Sequence, residues 1–64
     1  MRQVTCINNE YYEHIENLKV GEKYYLDTET LYIGATGEAS AIFYTLNHTK
    51  LGMLPLKIFT TIYD

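Results

Sequence analysis

Tryptophan is absent from this 64-residue chain, cysteine and proline occur once each, and only five residues are basic. Each scarcity removes a class of function. A lone Cys6 has no partner for an internal disulfide, and secreted domains of this size usually carry several. No apolar run approaches the ~20 residues of a membrane span, and the first residues lack the apolar segment of a signal peptide. The expected setting is therefore the cytoplasm, with no membrane partner. Glycosylation requires secretion, so the sequon Asn47-His48-Thr49 reads as accidental. Arg2, Lys19, Lys23, Lys50 and Lys57 are scattered in a chain of net charge −3. Affinity for nucleic acid needs a dense basic face that neutralises phosphates, so no nucleic-acid partner is expected.

What is present is material for a core. The chain is 47% hydrophobic and 14% aromatic, too apolar for a disordered tail. Seven tyrosines supply most of the aromatic volume, and tyrosine is best placed with its ring buried and its hydroxyl at water or a partner. The length suits one domain, spanning 1–64. So short a chain buries only ~60% of its unfolded surface, which sets the expected stability at roughly 3–10 kcal/mol.

The pattern along the chain is that of short strands. RQVTCIN alternates, with Val4 and Cys6 on one face. In NEYYEHIENL, Tyr11, Ile15 and Leu18 fall at i, i+4 and i+7, which predicts a helical turn with Asn9 as N-cap and Glu10, Glu13, His14 and Asn17 on the wet side. LKVGEKYYLD turns at Gly21 and enters a strand in which Tyr24 and Leu26 oppose Lys23 and Tyr25. A further short strand starts near Leu31, and GATGEAS is a loop whose Gly34 and Gly37 suit positive φ. ASAIFYTLN is the strongest strand, HTK a turn, LGML the returning strand, and KIFTTIY (57–63) the last one. Five or six short strands with turns every 8–12 residues predict an all-β fold, and a chain too short for two full sheets favours a small barrel.

The order of strand, long irregular loop, glycine turn, three strands, then a proline before the final strand resembles an SH3 domain. A nearer resemblance is to small, mostly uncharacterised SH3-like proteins of bacteriophages and Gram-positive bacteria. It rests on Cys6-Ile7-Asn8, on Leu18 through Tyr24, and on Pro55 through Phe59. The resemblance spans nearly the whole chain. The distal turn Asn47-His48-Thr49-Lys50 and Leu54 before the proline depart from the family pattern. The resemblance implies an SH3-like barrel with a 3₁₀ turn starting near Pro55, a helical first position that suits proline's fixed φ and missing N–H. It implies no activity. Proline-rich peptides bind SH3 grooves lined by aromatics including a tryptophan. Here that tryptophan is missing, and Cys6-Ile7-Asn8-Asn9 stands where tyrosines would be.

No residue set spells out a reaction. Glu10, Glu13, His14 and Glu16 are the one dense titratable group. A helix would stack Glu10 on His14, yet zinc wants three or more N or S ligands. A solvated acidic loop is the plainer reading, and no metal or cofactor is expected. Cys6, in an alternating strand, reads as a small buried apolar group rather than a nucleophile. GATGE lacks the lysine, spacing and following helix of a phosphate loop. The sharper feature is Ala41 through Leu46, where Ala41 and Phe43 face one way and Ile42, Tyr44 and Leu46 the other. One face must cover the core, and the other needs the loop, the curvature of the sheet or a partner to cover it.

The expectation is a non-enzymatic protein-binding module, an adaptor or an inhibitor of a host protein if phage-encoded. Its surface would hold Tyr25, Tyr32, Ile42 and Tyr44, with Glu10, Glu13 and Glu16 as an acidic steering rim. The alternatives are a self-associating module that pairs through the two-faced strand as a homodimer, and a weak metal or small-molecule binder at Glu10, Glu13 and His14.

Overall fold

Val4, Cys6, Tyr24, Leu26, Ala41, Phe43 and Leu54 are all buried to at least nine-tenths of their surface, and all seven lie on strands. The computed structural model describes residues 1–60. Over that span the fold is all-β, with five strands: β1 (Arg2–Cys6), β2 (Lys23–Ile33), β3 (Ala39–Thr45), β4 (Lys50–Pro55) and β5 (Phe59–Thr60). They form one antiparallel sheet in the order β4-β3-β2-β1-β5. The two strands expected between residues 23 and 33 are one continuous strand. Of the final strand expected over 57–63, Leu56–Ile58 form a 3₁₀ turn, β5 follows, and the remainder lies outside the described residues.

Alternation sets the inner face. A strand turns successive side chains to opposite sides, and the cross-strand pairs Val4↔Tyr24, Leu26↔Phe43 and Ala41↔Leu54 join buried residue to buried residue. The sheet is strongly curled. In a flat sheet β3 and β5 would lie roughly 14 Å apart, three strand spacings. Instead the rings of Phe43 and Phe59 stack with centroids 4.0 Å apart and planes at 14°, and Tyr24 meets Phe59 edge-on at 5.9 Å. Phe43 is fully buried, a stabilisation of about 2–3 kcal/mol over leaving such a ring exposed.

The loop from 7 to 22 is not the helical turn its apolar spacing predicts. The Tyr12 N–H donates to the Asn9 carbonyl, Ile15 to Tyr12, Leu18 to Ile15 and Glu22 to Lys19, four tight turns in a row. The repeat is three residues rather than 3.6, so Tyr12, Ile15 and Leu18 point inward onto the core while Tyr11 is 81% exposed. Asn9 does not cap a helix; its Nδ2 spans the loop to the Leu18 carbonyl at 3.1 Å. Tyr24 anchors the loop from beneath. Its hydroxyl accepts the Lys19 N–H at 2.7 Å and donates to the Asn17 carbonyl at 2.6 Å. Local spacing lost to these tertiary anchors, because an isolated two-turn helix is marginal in water.

Pro55 ends β4 opposite Ser40 and directly precedes the 3₁₀ turn. Its φ of −72° and ψ of 142° are extended, so it stands just outside the turn instead of at its first helical position. At an edge strand the missing N–H leaves no ladder bond broken. The register between β3 and β4 shifts beside Gly52, whose φ of 113° a side-chain-bearing residue would adopt only under strain. In the β2–β3 loop, Gly37 takes positive φ as expected, whereas Gly34 does not. No helix among the described residues is long and apolar enough to cross a membrane.

Candidate functional site

With Tyr24 and Leu26 turned inward, Tyr25 and Asp27 must face outward, and the same logic exposes Ile42 and Tyr44 on β3. The register then assembles three rows across the outer face. Gln3, Tyr25, Tyr44 and Lys50 form the first. Asp27, Ile42 and Met53 form the second, and Tyr32, Ser40 and Pro55 the third. Tyr25, Ile42 and Tyr44 are half-buried, while Tyr32 and Met53 are 62% and 53% exposed. All four tyrosine and isoleucine positions singled out from sequence therefore lie on one side of the sheet. Ala41 and Phe43 cover the core, and Tyr12, Ile15 and Leu18 of the first loop pack on that inner side.

Sequence reasoning missed two members of this strip. Met53 joins it only because β4 pairs with β3 in the observed register. His48 arrives from the β3–β4 turn, where its backbone takes a left-handed φ of 67°. Its ring stacks on Tyr25, with centroids 5.5 Å apart and planes at 11°. The turn is held by the His48 N–H on the Thr45 carbonyl and by the Thr45 N–H on the Thr49 carbonyl, both 2.9 Å. The Thr45 and Thr49 hydroxyls add bonds to the Asn47 side chain. No spacing rule pairs residues 25 and 48.

Glu10, Glu13 and Glu16 are exposed, each the second residue of one of the first three turns in the first loop. Glu10 lines a different feature, a cleft of about 330 Å³ between that loop and the 3₁₀ turn, bounded also by Asn8, Tyr11, Tyr12, Lys57 and Ile58. The helical stacking of Glu10 on His14 does not form. Among the described residues no three His, Cys, Asp or Glu side chains gather to hold a metal ion.

Cys6 is 1% exposed. Burial pushes its thiol above the ordinary 9.0, the reverse of an activated nucleophile. Burial likewise pushes the Tyr24 hydroxyl above 10.0. GATGE is a hairpin loop closed by the Gly34 N–H on Glu38 and the Gly37 N–H on Gly34, leading into a strand and not a helix. Compared with known proteins, the chain matches no family model, no curated protein and no solved structure.

Proposed function

We propose that this chain is an SH3-like barrel that acts by binding a protein and carries out no reaction of its own. The strand order supports the barrel, as do the long first loop, the 3₁₀ turn after Pro55 and the stacking of Phe43 on Phe59. One observation carries the functional reading: Tyr25, Tyr44, Ile42, Met53 and Tyr32 line up by register on the face turned away from the core. Tyrosine and methionine are enriched at protein interfaces, the tyrosine ring as an amphipathic contact and the methionine thioether as an adaptable apolar one. Asp27, Gln3 and Lys50 border the strip as polar neighbours. Glu10, Glu13 and Glu16, exposed on the first loop, supply acidity that steers a partner's approach. The buried thiol of Cys6 supports a cytoplasmic setting, and the resemblance to phage proteins supports an adaptor or inhibitor of a host protein.

The test is quantitative capture from the native host with the wild-type chain and with Tyr44→Ala, Ile42→Ala and Glu13→Ala, followed by dissociation constants for the captured protein. Tyr44→Ala is expected to weaken binding at least about tenfold, the mark of a central contact, and Glu13→Ala to leave it within about twofold. A partner whose affinity ignores both Tyr44 and Ile42 rejects this surface.

A further inference from the structure

The far end of β2 projects beyond its neighbour. β1 pairs with β2 only from Lys23 to Leu26, while β3 continues alongside to Ile33. From Asp27 onward, no strand among the described residues occupies the second edge of β2. Gly34 donates its N–H toward the β3 side, to the Glu38 carbonyl at 2.9 Å. Antiparallel strands alternate the direction of their backbone groups, so Tyr32 also bonds toward β3, and the N–H and C=O groups of Leu31 and Ile33 point outward.

The slip in β2 before Tyr32 is the one device of edge protection here, and past it the edge is apolar. Leu31, Tyr32 and Ile33 are 51%, 62% and 66% exposed, three large apolar residues in succession. Natural edges are blunted by lysine, proline or an inward charge, and residues 30–34 hold none of these. β3, the strand expected to mediate self-association, is flanked by β2 and β4 and has no open edge.

We propose that two copies of the chain associate edge to edge through residues 30–34 of β2, antiparallel about a two-fold axis at Tyr32. That register sets Leu31 opposite Ile33 of the second copy as a hydrogen-bonded pair, and its symmetry mate does the same. Each pair exchanges two backbone bonds, matching the outward groups of Leu31 and Ile33. Thr30 falls opposite Gly34 and Glu29 opposite Ala35. The chain's acidity does not oppose the contact: the two copies of Glu29 lie about six residues apart along the strands, roughly 20 Å, beyond the ~8 Å screening length at physiological salt. An uncharged, self-complementary apolar edge fits a copy of itself better than a charged partner. The contact is isologous and closes as a dimer, and it shares only Tyr32 with the Tyr25–Tyr44 strip.

Two measurements test it. Cross-strand positions at the axis are non-hydrogen-bonded, with Cα atoms ~4.5 Å apart, within the range a disulfide spans. Tyr32→Cys is expected to form a covalent dimer under mild oxidation. Lys57→Cys, on an exposed residue elsewhere, and the wild type with its buried Cys6 are expected to stay monomeric in the same gel. In sedimentation equilibrium the wild type is expected to dimerise with rising concentration. Ile33→Lys, at an exposed site and with an unchanged circular dichroism spectrum, is expected to weaken that dimer at least about tenfold, while Tyr44→Ala leaves it intact. A wild type that stays monomeric to about 1 mM with no cross-link at position 32 overturns the proposal. A dimer that survives Ile33→Lys and cross-links no faster at 32 than at 57 overturns it equally, because the copies then meet elsewhere.

Discussion

The hydroxyl of Thr30 accepts the amide hydrogen of Ile42 at 2.8 Å, across a break in the ladder between β2 and β3. Asp27 pairs with Ile42, but the next pair is Tyr32 with Ser40, so β2 holds extra residues there. The Thr30 side chain takes the place of a backbone acceptor and itself donates to the Asp27 carbonyl at 2.7 Å. This small device keeps Tyr32 on the same face as Ile42 after the slip.

Thr30→Val keeps the shape and removes both bonds. The Ile42 N–H then loses its acceptor, and leaving such a group unpaired costs about 1–3 kcal/mol. Urea denaturation should show that loss, and amide exchange at Ile42 should speed up more than at Phe43.

Tyr24→Phe tests the anchor of the first loop. Removing the hydroxyl frees the Lys19 N–H and the Asn17 carbonyl together, an expected loss of about 1–3 kcal/mol. The ring stays in the core, so the strands should persist while exchange at Lys19 and Leu18 accelerates.

Phe43→Ala removes the ring stacked on Phe59. Truncating a buried phenylalanine costs about 3–5 kcal/mol, comparable with the whole stability of roughly 3–10 kcal/mol expected at this length. The variant should be largely unfolded at room temperature, seen as collapsed dispersion in its proton spectrum.

Alkaline pH should destabilise the chain. Burial raises the Cys6 thiol and the Tyr24 hydroxyl above their ordinary values of 9.0 and 10.0. The folded state therefore holds these protons more tightly than the unfolded state. The stability they contribute is fully present below the ordinary values and is lost as pH rises through the higher folded ones. Urea midpoints measured from about pH 8 to about pH 11 should fall, and less steeply in Cys6→Ala and in Tyr24→Phe.

Tyr25 and Tyr44 sit directly opposite each other. A double-mutant cycle with alanine should give a coupling of about 0.2–1 kcal/mol, the range for facing aromatic pairs. Zero coupling would mean the rings do not share the face.

Much of this architecture was legible beforehand where side chains alternate. That Tyr24 and Leu26 oppose Tyr25, and Ala41 and Phe43 oppose Ile42 and Tyr44, follows from the two-residue period of a strand; which set turns inward was decided by the fold. The aromatic strip was legible for the same reason, though not its completion by Met53 and His48, which depends on pairing and turn geometry. The first loop was read with a helical period, and the helical turn expected there did not form. Three-residue turns put Tyr12 where Tyr11 was expected.

By itself, then, the order of residues determined most of the strands, the alternation of their side chains and the position of the break at Pro55, since these depend on neighbours a few bonds apart. Tertiary structure decided the path of residues 7–22, the slip in β2 and the curl that brings Phe59 onto Phe43. Those features are governed by contacts between distant parts of the chain. A hydroxyl reaching from Tyr24 to Asn17, or a ring from β5 to β3, is favourable only once the intervening strands have closed around it.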